Sequence, residues 1–172
     1  MYRLIPLLIA AALGLAACAP KTPEPKPIYR KPGTQIYSIA AFDPARLAGR
    51  WTQVAAFGPE AQTCRPGGME VARDGDRNTA TLRLCLSGAE IARHGALTPT
   101  GPGRLAMAGE DEPWWVIWVD TDYRTLVIGT PSGRFGFILN RSGGSLSPDR
   151  LRAAREILDW NGYDVTRLRV WR

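Results

Sequence analysis

The pattern of apolar and polar positions is clearest in residues 113–141, where it predicts three consecutive antiparallel strands. Trp114–Val119 is an aromatic and β-branched run, the composition of a largely buried strand. The second strand is predicted at 126–128 and the third at 135–141. One face of the third strand carries Phe135, Phe137, Leu139 and Arg141. A sheet face this apolar needs further strands on which to close.

Five more strands are predicted upstream, at 49–57, 69–73, 79–86, 90–97 and 104–108. Eight antiparallel strands close into a barrel whose interior holds one small ligand. A short helical entry is predicted at 42–47. After the barrel, Ser147 is a good helix N-cap and Gly162 suits the helix end, and a last strand is predicted at 164–172. The predicted fold is therefore all-β: an eight-stranded antiparallel up-and-down barrel with one C-terminal α-helix packed on it.

The N-terminus has the pattern of an export signal. Arg3 precedes an apolar run over residues 4–15, which is too short and too early for a spanning helix. The small-residue site Leu15-Ala16-Ala17 before Cys18 resembles a bacterial lipobox, which implies cleavage before Cys18 and lipid attachment to it. The alternative is a plain secretory signal. The predicted division is a signal peptide at 1–17, a lipidated Cys and Pro-rich tether at 18–40, and a barrel domain at 41–172. Ala19 favours the outer membrane of a bacterial envelope.

Two cysteines, Cys64 and Cys85, remain in the exported chain, and an oxidising compartment favours a disulfide between them. Asp74-Gly75 is the strongest two-residue turn signal nearby. A turn there places Arg73 opposite Asp76, and the same register places the two cysteines opposite each other in a close pair. With one distant His, the cysteines do not make a metal site, and no metal is expected.

Charge and motifs then exclude several functions. The net charge of +6 comes from scattered Arg residues without a basic cluster among aromatics, so nucleic-acid binding is not predicted. His94 is the single His, and no hydrolase, P-loop or metalloprotease motif occurs. The run Glu110-Asp111-Glu112 is interpreted as a solvated loop tip. The chain is therefore predicted not to be an enzyme, and no cofactor is expected.

Three short blocks carry a family resemblance: Gly49-Arg50-Trp51, then Thr121-Asp122-Tyr123, then Arg141 eighteen residues after the Tyr. Their order and spacing resemble the lipocalins, in particular bacterial outer-membrane lipoprotein lipocalins and apolipoprotein D. The resemblance implies that Arg141 stacks on Trp51 at the closed end of the barrel, a cation–π contact of about 1–2 kcal/mol. It also implies that Asp122 and Tyr123 fix a turn.

The barrel interior is the candidate binding site. On the strand predicted at 135–141, the inward residues are those that share a face with Arg141. On the strand predicted at 114–119, the family pattern favours Trp114, Val116 and Trp118 as inward residues. The candidate pocket is therefore Trp114, Val116, Trp118, Phe135, Phe137 and Leu139. Equally, these side chains could simply fill the barrel.

The predicted function is storage or transport of a small hydrophobic ligand, a fatty acid or lysophospholipid, by a protein anchored to the membrane through lipid. Two alternatives remain. Small exported β-barrels that inhibit metalloproteases share Ala48-Gly49-Arg50-Trp51 and one disulfide, but they lack the C-terminal helix. An enzyme acting on a lipid or isoprenoid is the other alternative, although no residue is nominated for its catalysis.

Overall fold

Eight antiparallel strands close into a barrel in the computed structural model, which describes residues 27–61, 63–142 and 145–171. Each strand pairs with the next along the chain, and β1 pairs with both β8 and β2, which closes the barrel. This confirms the predicted fold class. The strands are β1 (Gly49–Phe57), β2 (Gly68–Asp74), β3 (Arg77–Leu86), β4 (Ala89–Gly101), β5 (Arg104–Met107), β6 (Trp114–Val119), β7 (Thr125–Gly129) and β8 (Gly136–Arg141).

The connections alternate between the two ends of the barrel. The closed end carries the short turns at 75–76, 102–103 and 120–124, together with a 3-10 turn at Pro44–Leu47. Asp43 caps that turn, because its carboxylate accepts a hydrogen bond from Ala45 N–H. The open end carries the loops at 58–67, 87–88, 108–113 and 130–135.

The β2–β3 hairpin turns one residue later than predicted. Asp74 pairs with Arg77, so the two loop residues are Gly75 and Asp76. Gly75 has φ +56°, and a two-residue turn whose first position needs a positive φ takes glycine there. The predicted pairing of Arg73 with Asp76 is therefore wrong, since Arg73 pairs with Asn78.

One helix, α1 (Pro148–Trp160), packs on the outside of the barrel. Ser147 Oγ accepts a hydrogen bond from Arg150 N–H, as an N-cap does, and Gly162 follows the helix with φ +83°. The predicted last strand is shorter than expected: Val165–Arg167 forms a 3-10 turn capped by Asp164, and only β9 (Leu168–Val170) pairs, with β1. No helix in the described ranges is long and apolar enough to cross a bilayer.

Apolar side chains form two separate cores, one inside the barrel and one beneath the helix. The interior core includes Trp51, Leu84, Leu126 and Phe137. The outer core joins Ala154 and Leu158 of α1 to Val127 and Ile138 on the outward faces of β7 and β8. Strands buried on both faces have no polar alternation, which is why all five residues of β7 are buried.

The segment before the first strand runs along the barrel from the open end to the closed end. Tyr29 N–H donates to Gly133 O at the open end, and Ile39 N–H donates to Val116 O farther down. Tyr29 and Ile36 are buried in the outer core, although the sequence analysis placed both in the tether. The predicted signal peptide, Cys18 and the tether residues before Pro27 lie outside the described residues.

Candidate functional site

At the closed end, Arg141 lies over Trp51 as the resemblance implied. The guanidinium carbon is 4.1 Å from the centroid of the indole ring, and Trp51 is 1 % exposed. Arg141 Nε donates to Tyr123 O at 3.1 Å, and its two terminal nitrogens donate to Ala48 O and Arg46 O. Trp51 Nε1 donates to Leu47 O at 2.8 Å. Arg141 therefore ties β8 to the entry turn and to the β6–β7 turn.

Gly49 is required by the same arrangement. Its φ is +113°, and a Cβ at this position would lie 2.8 Å from an Arg141 terminal nitrogen. The glycine of the first sequence block thus leaves room for the guanidinium that covers the Trp of the same block.

The turn between β6 and β7 is fixed by Asp120 rather than by Asp122, contrary to expectation. Asp120 Oδ1 accepts hydrogen bonds from the N–H groups of Arg124 and Thr125, both at 2.6 Å, and Oδ2 accepts from Arg124 Nε at 2.8 Å. Asp122 is exposed and makes only a surface ion pair with Arg124 at 3.1 Å. The third member of the block, Thr121, is exposed as well.

Tyr123 does help to fix the closed end. It adopts φ +56° in the turn, and its hydroxyl accepts a hydrogen bond from Asp43 N–H at 2.7 Å. Its ring stacks on Phe42 and carries the Arg46 guanidinium at 3.9 Å from the centroid. The Tyr therefore joins the β6–β7 turn to the entry segment.

The Asp120 turn should make stability depend on pH. Burial alone would raise the pKa of Asp120, but the hydrogen bonds from Arg124 and Thr125 outweigh burial and hold the pKa below its usual range. A lowered pKa stabilises the fold above the unfolded-state value of about 3.9, and this stabilisation is lost as the pH falls through the folded-state pKa. Asp120→Asn should lower the free energy of unfolding by about 1–3 kcal/mol at neutral pH. It should also make that free energy less dependent on pH under acidic conditions. Urea denaturation from pH 7 down to pH 3 checks this; parallel curves for the two proteins would contradict it.

Five of the six predicted pocket residues face the barrel interior. Trp114, Val116, Phe135, Phe137 and Leu139 all belong to the interior core. Trp118 does not: it packs in the outer core, on the helix side. The pairing of β6 with β7 shifts between Val116 and Trp118, so Ile117 forms a β-bulge. The bulge turns Trp118 outward, and Val119 takes the inward place.

The interior residues fill the space between them. Trp114, Val116, Phe137 and Leu139 are each 1 % exposed or less. The Trp114 and Phe137 rings meet edge to face, with centroids 5.2 Å apart. Trp114 Nε1 is buried and makes no hydrogen bond within the described part of the chain. The barrel thus has an apolar, aromatic interior with one unsatisfied donor near its open end.

A cavity of about 270 Å³ opens at the open end of the barrel. Its apolar lining includes Leu86, Ile91 and Phe135, and its charged lining includes Arg93 and Arg134. Phe135 belongs both to this cavity and to the interior core, so the cavity lies directly above the filled interior. Of the six predicted pocket residues, it is the one that lines the cavity.

Glu110 lies between the two arginines of this rim cavity. Only 4 % of its side chain is exposed. Arg93 Nε lies 2.9 Å from the Glu110 carboxylate, and a terminal nitrogen of Arg134 lies 3.9 Å from the same carboxylate. The Arg134 guanidinium also covers the Phe135 ring at 4.6 Å from its centroid. The expectation that residues 110–112 form a solvated tip is therefore wrong for Glu110. Its burial depends on two loops meeting, which no local pattern of the sequence signals.

The predicted disulfide between Cys64 and Cys85 is present, with a Cα–Cα distance of 5.6 Å. The predicted strand register does not produce it. Strand β2 begins at Gly68, so Cys64 lies in the loop before the ladder and reaches Cys85 from there. Gln53 supports this loop, because its side chain bonds both Gly67 N–H and Cys85 N–H.

Tyr163 organises the other side of the open end and was not singled out from the sequence. Its hydroxyl accepts from Thr130 N–H at 2.8 Å and donates to Phe135 O at 2.7 Å, while burial raises the pKa of the phenol. Tyr163 thus fixes the β7–β8 turn that carries Arg134. Its only sequence signal is a buried-type aromatic just after the helix.

His94 lies on the outer face of β4, exposed, with Nδ1 2.8 Å from Thr81 Oγ1. Within the described ranges, no three His, Cys, Asp or Glu side chains are grouped so as to hold a metal ion.

Known proteins have this fold. Residues 105–172 match the family model described as a lipocalin-like domain. The structure of insecticyanin from the tobacco hornworm Manduca sexta aligns with a TM-score of 0.58 at 17 % identity, over 84 % of this chain and 86 % of that one.

Two lobster proteins align similarly. H1 crustacyanin from Homarus americanus gives a TM-score of 0.54 at 21 % identity, over 86 % of this chain and 92 % of that one. Lobster apocrustacyanin A1 gives 0.54 at 21 % identity, over 74 % and 78 %. No curated protein matches the sequence. The solved structures show the fold, and the family match relates residues 105–172 to the lipocalin-like domain.

Proposed function

We propose that this protein is a lipocalin that binds a small hydrophobic ligand with an anionic end, a fatty acid or a lysophospholipid, and stores or transports it at a bacterial envelope membrane. The observation that carries the proposal is the rim cavity, in which an apolar wall of Leu86, Ile91 and Phe135 faces the guanidinium groups of Arg93 and Arg134. Ligand sites combine a mostly apolar lining with a few polar groups that orient the ligand.

The cavity volume sets the binding mode. At about 270 Å³ it lies just below the usual range of about 300–1,000 Å³ for ligand pockets, so it holds the charged end and the first part of a chain. The rest of an acyl chain would enter the interior by moving Phe137 and the flexible side chain of Met107, both of which belong to the interior core.

Binding of the ligand's charged end should depend on Arg134. The carboxylates of Glu110, Asp111 and Glu112 lie 3.8–4.0 Å from its guanidinium nitrogens, and a ligand carboxylate or phosphate would replace one of these contacts. Arg134→Gln should weaken binding of a long-chain fatty acid about tenfold or more, since a charge-assisted hydrogen bond contributes about 1.5–3 kcal/mol. Displacement of a fluorescent fatty acid measures the affinity.

Arg83→Gln is the matched control, because Arg83 pairs with Glu90 on the exposed outer face of neighbouring strands. Equal affinities in the two variants, with circular dichroism unchanged, would remove Arg134 from the proposed site.

Attachment to the membrane is the second part of the proposal. It is supported by the lipobox-like site before Cys18 and by the Pro-rich segment that follows. Radiolabelled palmitate should label the wild-type chain and should not label Cys18→Ala. An unlabelled wild type would reduce the proposal to a secreted lipocalin.

The packed interior favours a second candidate, a protein-interaction module such as a metalloprotease inhibitor. A barrel whose interior is filled needs no ligand to complete its core. Inhibition of a secreted metalloprotease, by a protein that binds no fatty acid or lysophospholipid at micromolar concentration, would support this candidate instead.

A further inference from the structure

Exposed apolar side chains are concentrated where the entering segment meets the C-terminal end of α1. Within the described ranges, the large apolar side chains that remain exposed are Ile28 at 54 %, Tyr37 at 51 %, Trp160 at 66 % and Val170 at 37 %. The first three adjoin the segment that enters the domain and the C-terminal end of α1. We call Ile28, Tyr37 and Trp160 the interfacial face.

Backbone contacts hold this face in place. Tyr37 N–H donates to Asn161 Oδ1 at 2.8 Å, and Arg30 Nε donates to Asn161 O at 2.8 Å. The Tyr37 and Trp160 rings stack with centroids 5.2 Å apart. An exposed aromatic pair that is fixed in one geometry presents its apolar area without further loss of side-chain entropy.

The entering chain places the face at the open end. Tyr29 N–H bonds Gly133 O in the β7–β8 loop, and Pro27 lines the rim cavity beside Arg134 and Phe135. Nine Cα steps separate Cys18 from Pro27, and at no more than about 3.6 Å per residue they span roughly 30 Å or less. A lipid on Cys18 would therefore keep the open end within roughly 30 Å of the bilayer.

The charges beside the face nearly cancel. Ile28 borders a hollow of about 620 Å³ that is also lined by three cations, Arg30, Lys31 and Arg167, and by two carboxylates, Asp159 and Asp164. Attraction to anionic lipid is consequently weak here, and the apolar and aromatic side chains carry the interaction. Trp and Tyr are the side chains enriched at the level of lipid head groups.

We propose that the interfacial face docks on a lipid bilayer, so that the mouth of the barrel opens toward the membrane. This inference rests on the proposed lipid anchor and adds to it an orientation. A ligand would then pass between the bilayer and the rim cavity without crossing water, which matches the apolar wall of that cavity.

Quenching by brominated lipid tests the orientation. The lipid-anchored protein is purified from membranes and reconstituted into phosphatidylcholine vesicles with or without brominated acyl chains. Brominated lipid should quench the wild-type emission, and Trp160→Phe should remove roughly half or more of that quenching, because Trp51 and Trp114 are buried. Replacing part of the phosphatidylcholine with phosphatidylglycerol should change the quenching little.

A closed-end probe is the matched control. Arg77 is exposed in the β2–β3 hairpin at the opposite end. Arg77→Trp in the Trp160→Phe background should add emission that brominated lipid does not quench. Anchored protein in which Trp160 is not quenched, or in which the Arg77→Trp probe is quenched instead, overturns the orientation. Protein that carries no palmitate and does not sediment with vesicles refutes the anchor on which the inference rests.

Discussion

Replacing Phe137 with Glu should unfold the domain. Phe137 is fully buried in the interior core and meets Trp114 edge to face. An unpaired carboxylate there must be desolvated or protonated, at a cost of several kcal/mol, which is a large part of the about 5–15 kcal/mol that stabilises a domain. We expect loss of the cooperative urea transition and of near-ultraviolet circular dichroism.

Two matched variants separate burial from simple charge effects. Phe137→Leu keeps an apolar side chain and should cost only about 1–2 kcal/mol. Ala92→Glu places the same charge on the exposed outer face of β4 and should leave the fold intact. If Phe137→Glu instead folds normally and only loses lipid binding, the interior is an open cavity and not a packed core.

Replacing Arg141 with Ala should lower the free energy of unfolding by about 4 kcal/mol, the sum expected for a desolvated cation–π contact and charged hydrogen bonds. The guanidinium joins three backbone carbonyls from two segments and covers Trp51. Its removal takes two hydrogen bonds away from the entry turn, which Trp51 Nε1 and the Tyr123 hydroxyl still hold. Guanidinium chloride denaturation followed by Trp fluorescence measures the loss.

Arg141→Lys distinguishes geometry from charge. An ammonium group keeps the charge but cannot bond three carbonyls in a planar fork, so this variant should recover less than half of the loss. Arg46→Ala, a more exposed cation at the same end, should cost under about 1 kcal/mol. An Arg141→Ala variant within about 1 kcal/mol of wild type would show that the closed end does not depend on this contact.

Patterns that repeat along the chain predicted the fold well. The alternation of Phe135, Phe137 and Leu139 gave the correct inward face, because a strand with no bulge keeps its period of two. The closed-end motif was recovered because Gly49, Trp51 and Arg141 act through specific contacts that demand those residue types.

The errors arise where one residue changes the period or where distant segments meet. The bulge at Ile117 reversed the predicted direction of Trp118, and a bulge adds a residue without leaving a compositional signal. Asp120 precedes the recognised block, and the resemblance assigned the turn to Asp122 and Tyr123, although Asp120 makes the hydrogen bonds of the turn. The rim cluster of Glu110, Arg93 and Arg134 joins three separate loops and strands, so only the tertiary structure reveals it.

Ligand binding in the barrel is tested most directly by the lipid that the protein retains. Residues 19–172 would be exported behind a cleavable secretory signal and purified without detergent, then extracted with organic solvent and assayed by mass spectrometry. The account predicts close to one mole of a fatty acid or lysophospholipid per mole of protein, reduced in Arg134→Gln. Protein that carries no lipid, and that takes up neither ligand when each is added at micromolar concentration, would contradict it.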